Sequence, residues 1–272
     1  MSYQTILFER EGPVAVVTLN RPERANAMNR TMLEELLDVC DTVEGMSDIR
    51  ALVLTGAGAA FCSGFDLKDQ AANRPDGVEQ WRDALQIDYD AVMRFWHLPI
   101  PTVAAVRGPA LAGGFELSMA CDMTVAAEGS VFGEPELRFG AGIVVMLLPW
   151  LAGPKAAKEI ILLGRDDISV ESAFDLGLVN RIVAPGDDLS EAMDIAKRLA
   201  VIDPMLVKQT KRAINASFTI MGMDQALQNA LDIDVQIEGQ GSPDKTEFLR
   251  LLREDGMKAA LAWRDARFGD NG

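Results

Sequence analysis

Short β-branched and apolar runs alternate with longer segments of helical periodicity through the first half of the chain. The runs that predict strands are residues 14–20, 50–56, 101–108 and 123–128. Between them, residues 30–44 and 75–98 place apolar side chains at helical spacing, and a shorter helix is expected to begin near Gly113. Strands that alternate with helices indicate an α/β fold.

From about residue 149 the pattern is almost entirely helical, with one short β-like stretch at residues 178–184. No low-complexity linker separates the two halves. We therefore expect an α/β core over residues 1–200 that carries the site. A helical C-terminal region over residues 201–272 would pack on that core or on a neighbouring subunit.

Composition and net charge make several classes of function improbable, among them nucleic-acid and membrane binding. The chain has 272 residues, 49% of them apolar, and a formal net charge of −15. An acidic surface repels nucleic acids and anionic lipids, so neither is an expected partner. Three widely spaced cysteines and a single histidine favour reduced thiols over disulfides or a zinc cluster. With no secretory signal pattern and no apolar stretch of about 20 residues, the sequence predicts a cytoplasmic protein.

Several familiar motifs fail on inspection. Residues 56–61, GAGAAF, begin like a dinucleotide fingerprint, but Phe61 stands where the third glycine should be. Ser63 lacks the flanking glycines of a nucleophile elbow. His97 ends an aromatic run, where a structural role is favoured. Serine or cysteine nucleophile chemistry is therefore hard to build.

Three segments each lie just past a predicted strand, where ligand sites of α/β proteins form. They are residues 61–69, 108–117 and 131–137. In the second segment, Gly113 and Gly114 open a helix whose first amide groups lack partners and can stabilise a developing negative charge. Taken alone, the glycine pair is also compatible with a simple tight turn.

Together these segments resemble the enoyl-CoA hydratase/isomerase (crotonase) superfamily, and the resemblance covers nearly the whole chain. Its most specific parts are Arg21-Pro22 with Asn26-Ala27-Met28, Ser63-Gly64-Phe65-Asp66-Leu67, Ala112-Gly113-Gly114-Phe115-Glu116, and Phe132-Gly133-Glu134-Pro135-Glu136. The resemblance implies a crotonase-like α/β spiral of ββα units with a helical C-terminal region. It also implies trimers, often paired into hexamers, and no metal or redox cofactor beyond the coenzyme A of the substrate.

The resemblance further implies roles for individual residues. Backbone amides of Phe65 and Gly113 would form an oxyanion hole for a thioester carbonyl, and Glu116 and Glu136 would be the acid–base pair. The residues implied to lie along coenzyme A are Arg24, Ala25, Asp66, Leu67 and Lys68. Phe65 occupies a position that is often alanine in the family, so its ring could reshape the entrance.

Two carboxylates favour an enoyl-CoA hydratase, because many isomerases of the family keep only the second. One carboxylate would take a proton from water while the other group protonates C2. Two alternatives stay open: isomerisation or another acyl-CoA lyase or hydrolase reaction on the same scaffold, and a non-catalytic CoA-binding protein.

The stretch after Glu136 departs from the family, because residues 143–148 are bulky and apolar where small and polar residues are common. Either this run is a buried helix, or it lines an acyl pocket with some of Val144, Val145, Met146, Leu148 and Trp150. Trp81 and Phe95 could reach the same pocket or belong to the core. The charged run at residues 242–254 predicts a solvated helix face.

Overall fold

The structure is a computed structural model that describes residues 3–73 and 75–269. Its main sheet has six strands in the order β1-β2-β3-β4-β6-β9. These strands are β1 Ile6–Glu11, β2 Val14–Leu19, β3 Ala51–Gly56, β4 Thr102–Val106, β6 Met123–Ala127 and β9 Arg181–Val183. All neighbours are parallel except β1, which runs antiparallel to β2. The α/β pattern and all the strands predicted from the sequence are confirmed.

A second, smaller sheet was not predicted. It consists of β5 Pro109–Leu111, β7 Val131–Gly133 and β8 Ile168–Ser169, which are too short to show a period in the sequence. Its register pairs Ala110 with Phe132, and Cys62 forms a bridge to Ala110 on the other side. The three candidate segments from the sequence therefore lie side by side, joined by the pairing of Cys62 with Ala110 and of Ala110 with Phe132.

Helices cover both faces of the main sheet. In the described residues they are α1 Arg30–Gly45, α2 Leu67–Ala72, α3 Gly77–His97, α4 Gly113–Ala120, α5 Leu148–Leu151, α6 Pro154–Leu163, α7 Val170–Asp175, α8 Asp188–Ala200, α9 Pro204–Ile220, α10 Met223–Gln240, α11 Pro243–Glu254 and α12 Met257–Phe268. Two 3-10 helices span Pro22–Arg24 and Glu136–Phe139. Strand β3 shows why its sequence is apolar throughout: Leu52 and Leu54 face one core and Val53 the other.

The C-terminal helices differ in what they bury. Helix α9 buries none of its residues, whereas α10 packs on α3. Helices α11 and α12 pack on each other and on the 3-10 helix Glu136–Phe139. The expectation of a solvated helix face at residues 242–254 was incomplete, because α11 buries one side against this 3-10 helix. The buried side chains of α11 are Lys245, Phe248, Leu249 and Leu252.

The boundary placed at residue 200 stays a prediction, although α8 does end at Ala200. Among the described helices, none combines the length and apolar character needed to cross a bilayer.

Candidate active site

A cavity of about 580 Å³ lies where the three segments meet the C-terminal helices. The loop after β3 supplies Phe65 to its wall, the turn before α4 supplies Ala112, and the segment after β7 supplies Glu136. Helices α10, α11 and α12 close the opposite side, with Asp234, Lys245, Phe248, Met257, Leu261 and Arg264 among the lining residues. One chain thus forms a cavity that is lined by Phe65 and Glu136, two of the residues that the sequence singled out, whereas Gly113 lies just after the lining residue Ala112 and is not itself in the lining.

Two backbone amides at this cavity have no acceptor in the described part of the chain. They belong to Phe65 and Gly113, while their neighbours Asp66 and Ala112 donate to Met28 and Gly133. The two loops are in contact, because a Cβ added at Gly64 would lie 3.2 Å from the Gly113 nitrogen. Unpaired amides held side by side can stabilise an oxygen that gains negative charge.

Ala112 holds the turn before α4 in a strained conformation. Its φ of 54° and ψ of −134° lie in a region that residues with a side chain rarely adopt. This conformation sets the plane of the peptide that carries the Gly113 amide. The Phe65 ring covers Gly113, since a Cβ added there would lie 2.5 Å from Phe65 Cε2. The backbone conformation of Ala112 therefore sets the orientation of the Gly113 amide, and the Phe65 ring limits the space around it.

Glu116 and Glu136 are both buried beside the cavity, with exposed fractions of 0% and 6%. Glu136 lines the cavity, whereas Glu116 lies outside its lining. The Glu116 Oε1 accepts a hydrogen bond of 2.8 Å from the Val145 amide. The Oε2 atoms of both residues have no hydrogen-bond partner among the described residues. Each carboxyl therefore keeps one oxygen that is not committed to a hydrogen bond within the described residues.

Burial changes the protonation of this group of acids. Desolvation, followed by the charge of Glu136, raises the pKa of Glu116 well above its ordinary value. Desolvation also raises the pKa of Glu136 to about 8. A third carboxyl, Glu134, is fully buried, and desolvation and Glu136 raise its pKa strongly. Glu134 and Glu136 are close enough to interact, although neither Glu134 oxygen completes a hydrogen bond of ordinary geometry.

The raised pKa of Glu136 predicts that the free energy of unfolding falls as pH rises. Glu136 keeps its proton in the folded state up to about pH 8, whereas the unfolded chain loses it near the ordinary value of 4.5. The folded state therefore binds more protons in this window, and the free energy of unfolding falls with pH by roughly 1 kcal/mol per unit for this group. Urea unfolding between pH 5 and pH 8 should show a shallower decline for Glu136→Gln than for the parent. An equal decline in the exposed-site variant Glu128→Gln and in Glu136→Gln would contradict this assignment.

The predicted coenzyme A residues all lie on the same cavity wall. Arg24, Ala25, Asp66, Leu67 and Lys68 belong to its lining. Arg24 and Lys68 are exposed, and neither forms an ion pair within the described residues. The Asp66 carboxylate is already engaged, because it caps α2 and pairs with Arg21 at 2.9 Å. Asp66 would therefore contact a ligand through its backbone in the loop, because its carboxylate is already paired.

The residues predicted from the sequence to line the acyl pocket agree only in part with the cavity lining. Of the five residues proposed near the acyl group, Val144 lines the cavity and the other four do not. Residues 141–147 form no helix, so the buried-helix alternative holds only for the short α5 that follows. Phe95 is core, and Trp81 reaches the cavity only through Lys245, whose ammonium lies 4.8 Å from the indole centroid. Asp234, Glu238 and Lys245 were missed, because acids and lysines at helical spacing resemble a solvated face.

The described residues contain no group of three or more histidine, cysteine, aspartate and glutamate side chains arranged to hold a metal ion.

Comparison with known proteins identifies the class. A model of the enoyl-CoA hydratase/isomerase family matches residues 9–265. This chain belongs to the enoyl-CoA hydratase/isomerase family. Similar proteins include a putative enoyl-CoA hydratase of Thermus thermophilus, 41% identical over 95% of this chain and 98% of that protein. A crotonyl-CoA hydratase of Syntrophomonas wolfei is 32% identical over 98% of this chain and 99% of its own length.

Solved structures agree with this assignment. The crystal structure of an enoyl-CoA hydratase/isomerase from Xanthobacter autotrophicus Py2 matches with a TM-score of 0.96 and 56% identity. The match covers 98% of this chain and 99% of that one. The expected fold class, a crotonase-like α/β core with a helical C-terminal region, is confirmed.

Proposed function

We propose that this protein is an enoyl-CoA hydratase, which adds water across the C2–C3 double bond of an enoyl-CoA thioester. The observation that carries the proposal is a cavity lined by Phe65 and Glu136, with unengaged backbone amides at Phe65 and at the adjoining Gly113, and with Glu116 buried outside the lining. The names of the relatives from Thermus thermophilus and Syntrophomonas wolfei support the same reaction.

The amides of Phe65 and Gly113 would bind the thioester oxygen. Addition of water at C3 moves electron density through C2 onto this oxygen, so the two donors stabilise the enolate-like state more than the substrate. Each donor of this kind contributes about 3–4 kcal/mol to the rate in other enzymes. The short α4 adds the positive end of its dipole at the same place.

Glu116 and Glu136 would move the two protons of the reaction. Burial and mutual repulsion make it unfavourable for both to be ionised together, so the pair holds a proton near neutral pH. The ionised member takes a proton from the attacking water, and the protonated member delivers one to C2. Each turnover leaves the pair with the same number of protons but with the proton on the other member, so a proton has to pass between the two carboxyls, directly or through water, before the next turnover.

Arg24 and Lys68 would bind the phosphates of coenzyme A at the exposed edge of the cavity. Both cations are without an ion-pair partner in the described residues, in a chain whose net charge is −15. They supply the local positive charge that an anionic cofactor needs against an acidic surface. Ala25 and Leu67 would contact the adenosine part, and the backbone around Asp66 would shape the groove.

Hydration of crotonyl-CoA by the purified protein tests the proposal. Loss of the ultraviolet absorbance of the conjugated enoyl thioester would report turnover, and the 3-hydroxyacyl product would be identified by mass spectrometry. Consumption without a mass increase of one water would favour isomerisation instead. The position of Glu116 outside the cavity lining gives this second reaction some support, since Glu136 alone could shift a double bond.

We also propose that the protein forms trimers or hexamers, as the family implies, and that it is cytoplasmic. Helix α9 and its flanks expose large apolar side chains: Val201, Ile202, Met205, Leu206, Ile214, Ile220 and Met221. A monomer rarely leaves such a set open to water, so a second copy would cover it. Light scattering after size exclusion should give a multiple of three chains, and Leu206→Asp with Ile214→Asp should shift it to monomer. A monomeric parent protein would contradict this proposal.

A further inference from the structure

One wall of the cavity is more polar than a hydrocarbon chain requires. Helices α10 and α11 place Asp234, Glu238 and Lys245 in the lining, each with an exposed fraction of 4% or less. They lie next to apolar lining residues such as Val144 and Phe248. A fully apolar acyl chain would give no hydrogen-bond partner to any polar group on this wall that lacks one within the protein, which is unfavourable.

The three polar residues are not equivalent. Lys245 forms a buried ion pair with Glu238 and also contacts the Trp81 ring at 4.8 Å. Glu238 additionally accepts a hydrogen bond of 3.4 Å from the Gly142 amide. These interactions leave Lys245 and Glu238 engaged with each other. Neither oxygen of Asp234 has a hydrogen-bond partner within the described residues, although the residue is 2% exposed.

Gly142 shows that the space around the Asp234 carboxyl is tightly fitted. A Cβ added at Gly142 would overlap Asp234 Oδ1 and lie 2.8 Å from Asp234 Cγ. Both residues line the cavity. The missing side chain at Gly142 leaves room for the carboxyl where it stands. The chain thus keeps an unpartnered acid at position 234 of the cavity wall, where an apolar residue would be more stable.

Asp234 also lies near the acid–base pair. Its charge raises the pKa of Glu116 and of Glu136. Desolvation, followed by the charge of Glu238, raises its own pKa to about 7. Asp234 and Glu136 also line the same cavity, so a group bound to Asp234 would share that cavity with the acid–base residue Glu136.

We propose that Asp234 binds a hydrogen-bond donor, a hydroxyl or an ammonium group, carried by the acyl part of the substrate. The cavity would then select polar acyl-CoA thioesters over plain hydrocarbon ones. This inference rests on the proposed function for the location of the thioester. A site built to hydrogen-bond a substrate group discriminates strongly against the analogue that lacks it, because its own buried polar atom is left unpaired.

Binding and turnover of matched thioesters test the inference. The probes are saturated acyl-CoAs and trans-2-enoyl-CoAs of several chain lengths, each ending in a methyl, a hydroxyl or an amino group. Calorimetry gives the Kd of the saturated set, and the hydration assay gives kcat/KM of the enoyl set. At the best length, a hydroxyl or amino end should improve Kd roughly 10- to 100-fold over methyl, as expected of a hydrogen bond to a charged group.

Three variants assign the effect to Asp234. Asp234→Leu should abolish the preference, and the isosteric Asp234→Asn should lose the preference for the amino end while keeping part of that for the hydroxyl end. Asp232→Asn is the matched control, because Asp232 lies on the same helix but is about half exposed and paired with Arg82. It should retain the full preference.

The outcomes separate this inference from the proposed reaction. Tight binding of methyl-ended thioesters at every length, with no gain from a polar end, would overturn the role of Asp234 even if hydration proceeds. A preference that survives in both Asp234 variants would overturn it as well. Selective binding of polar-ended thioesters without hydration would instead disprove the hydratase assignment and uphold the inference.

Discussion

Replacing Glu136 by glutamine should lower kcat for enoyl-CoA hydration by about 10²- to 10⁴-fold, the range expected for loss of a general acid–base group. Glutamine keeps the size and polarity of the side chain but cannot exchange a proton. Glu136 lines the cavity, has an unpartnered Oε2 and carries a pKa of about 8, so its carboxyl is placed and protonated for proton transfer. Steady-state kinetics with crotonyl-CoA would measure the loss.

Two controls keep this prediction specific. Glu128→Gln alters an exposed carboxyl at the end of β6 and should leave kcat unchanged. Binding of a saturated acyl-CoA to Glu136→Gln should also be retained, because the cations at the cavity edge are untouched. A variant with normal kcat would remove Glu136 from the mechanism.

Glu116→Gln then distinguishes hydration from isomerisation. Hydration needs a base for water and an acid for C2, so this variant should lose activity to a similar extent. A harmless Glu116→Gln combined with an inactive Glu136→Gln would favour isomerisation, in which one carboxylate carries a proton between two carbons. The hydrogen bond from the Val145 amide to Glu116 fixes the carboxyl orientation, and the glutamine oxygen can still accept it.

The sequence predicted the parts of the site that depend on local patterns. Phe65, Gly113 and Glu136 lie in segments that come after the predicted strands β3, β4 and β6, and the structure brings these segments together through the Cys62, Ala110 and Phe132 register. The short strands that create this register could not be predicted, because two or three residues show no period. Strand β1 was also missed, since Ile6 is its only buried residue, Phe8 is its only half-buried one, and the strand ends in the charged residues Glu9, Arg10 and Glu11.

The opposite wall depends on tertiary contacts that no local pattern reveals. Lys245 and Phe248 follow one another at helical spacing in a charged segment, which is also what a solvated helix shows. Asp234 and Glu238 belong to a helix that also carries the exposed Asp232, and burial of one side of α10, which packs against α3, separates them from it. A sequence pattern therefore predicts that polar residues such as Asp234 and Lys245 face solvent, although they line the cavity.

Gly114→Ala should reduce kcat by about 10²- to 10³-fold, the cost of losing one oxyanion donor. A Cβ at this position would lie 2.7 Å from Cys62 Cβ and 2.8 Å from its carbonyl carbon. Cys62 is held by its bridge to Ala110, so the start of α4 has to move away from the loop that carries Phe65. The amides of Phe65 and Gly113 would then no longer point at one oxygen. The same overpacking should lower the free energy of unfolding by about 1–3 kcal/mol.

Gly45→Ala provides the matched substitution, because nothing lies within 4 Å of its added Cβ at the exposed end of α1. It should leave kcat unchanged and raise the free energy of unfolding by up to about 1 kcal/mol. The Kd for free coenzyme A separates misfolding from loss of the oxyanion hole in Gly114→Ala. Arg24 and Lys68 lie outside α4, so a folded variant should still bind coenzyme A while its kcat falls. Full activity in Gly114→Ala would mean that the rate does not depend on how closely these two backbone segments approach, and the oxyanion hole would have to be sought elsewhere.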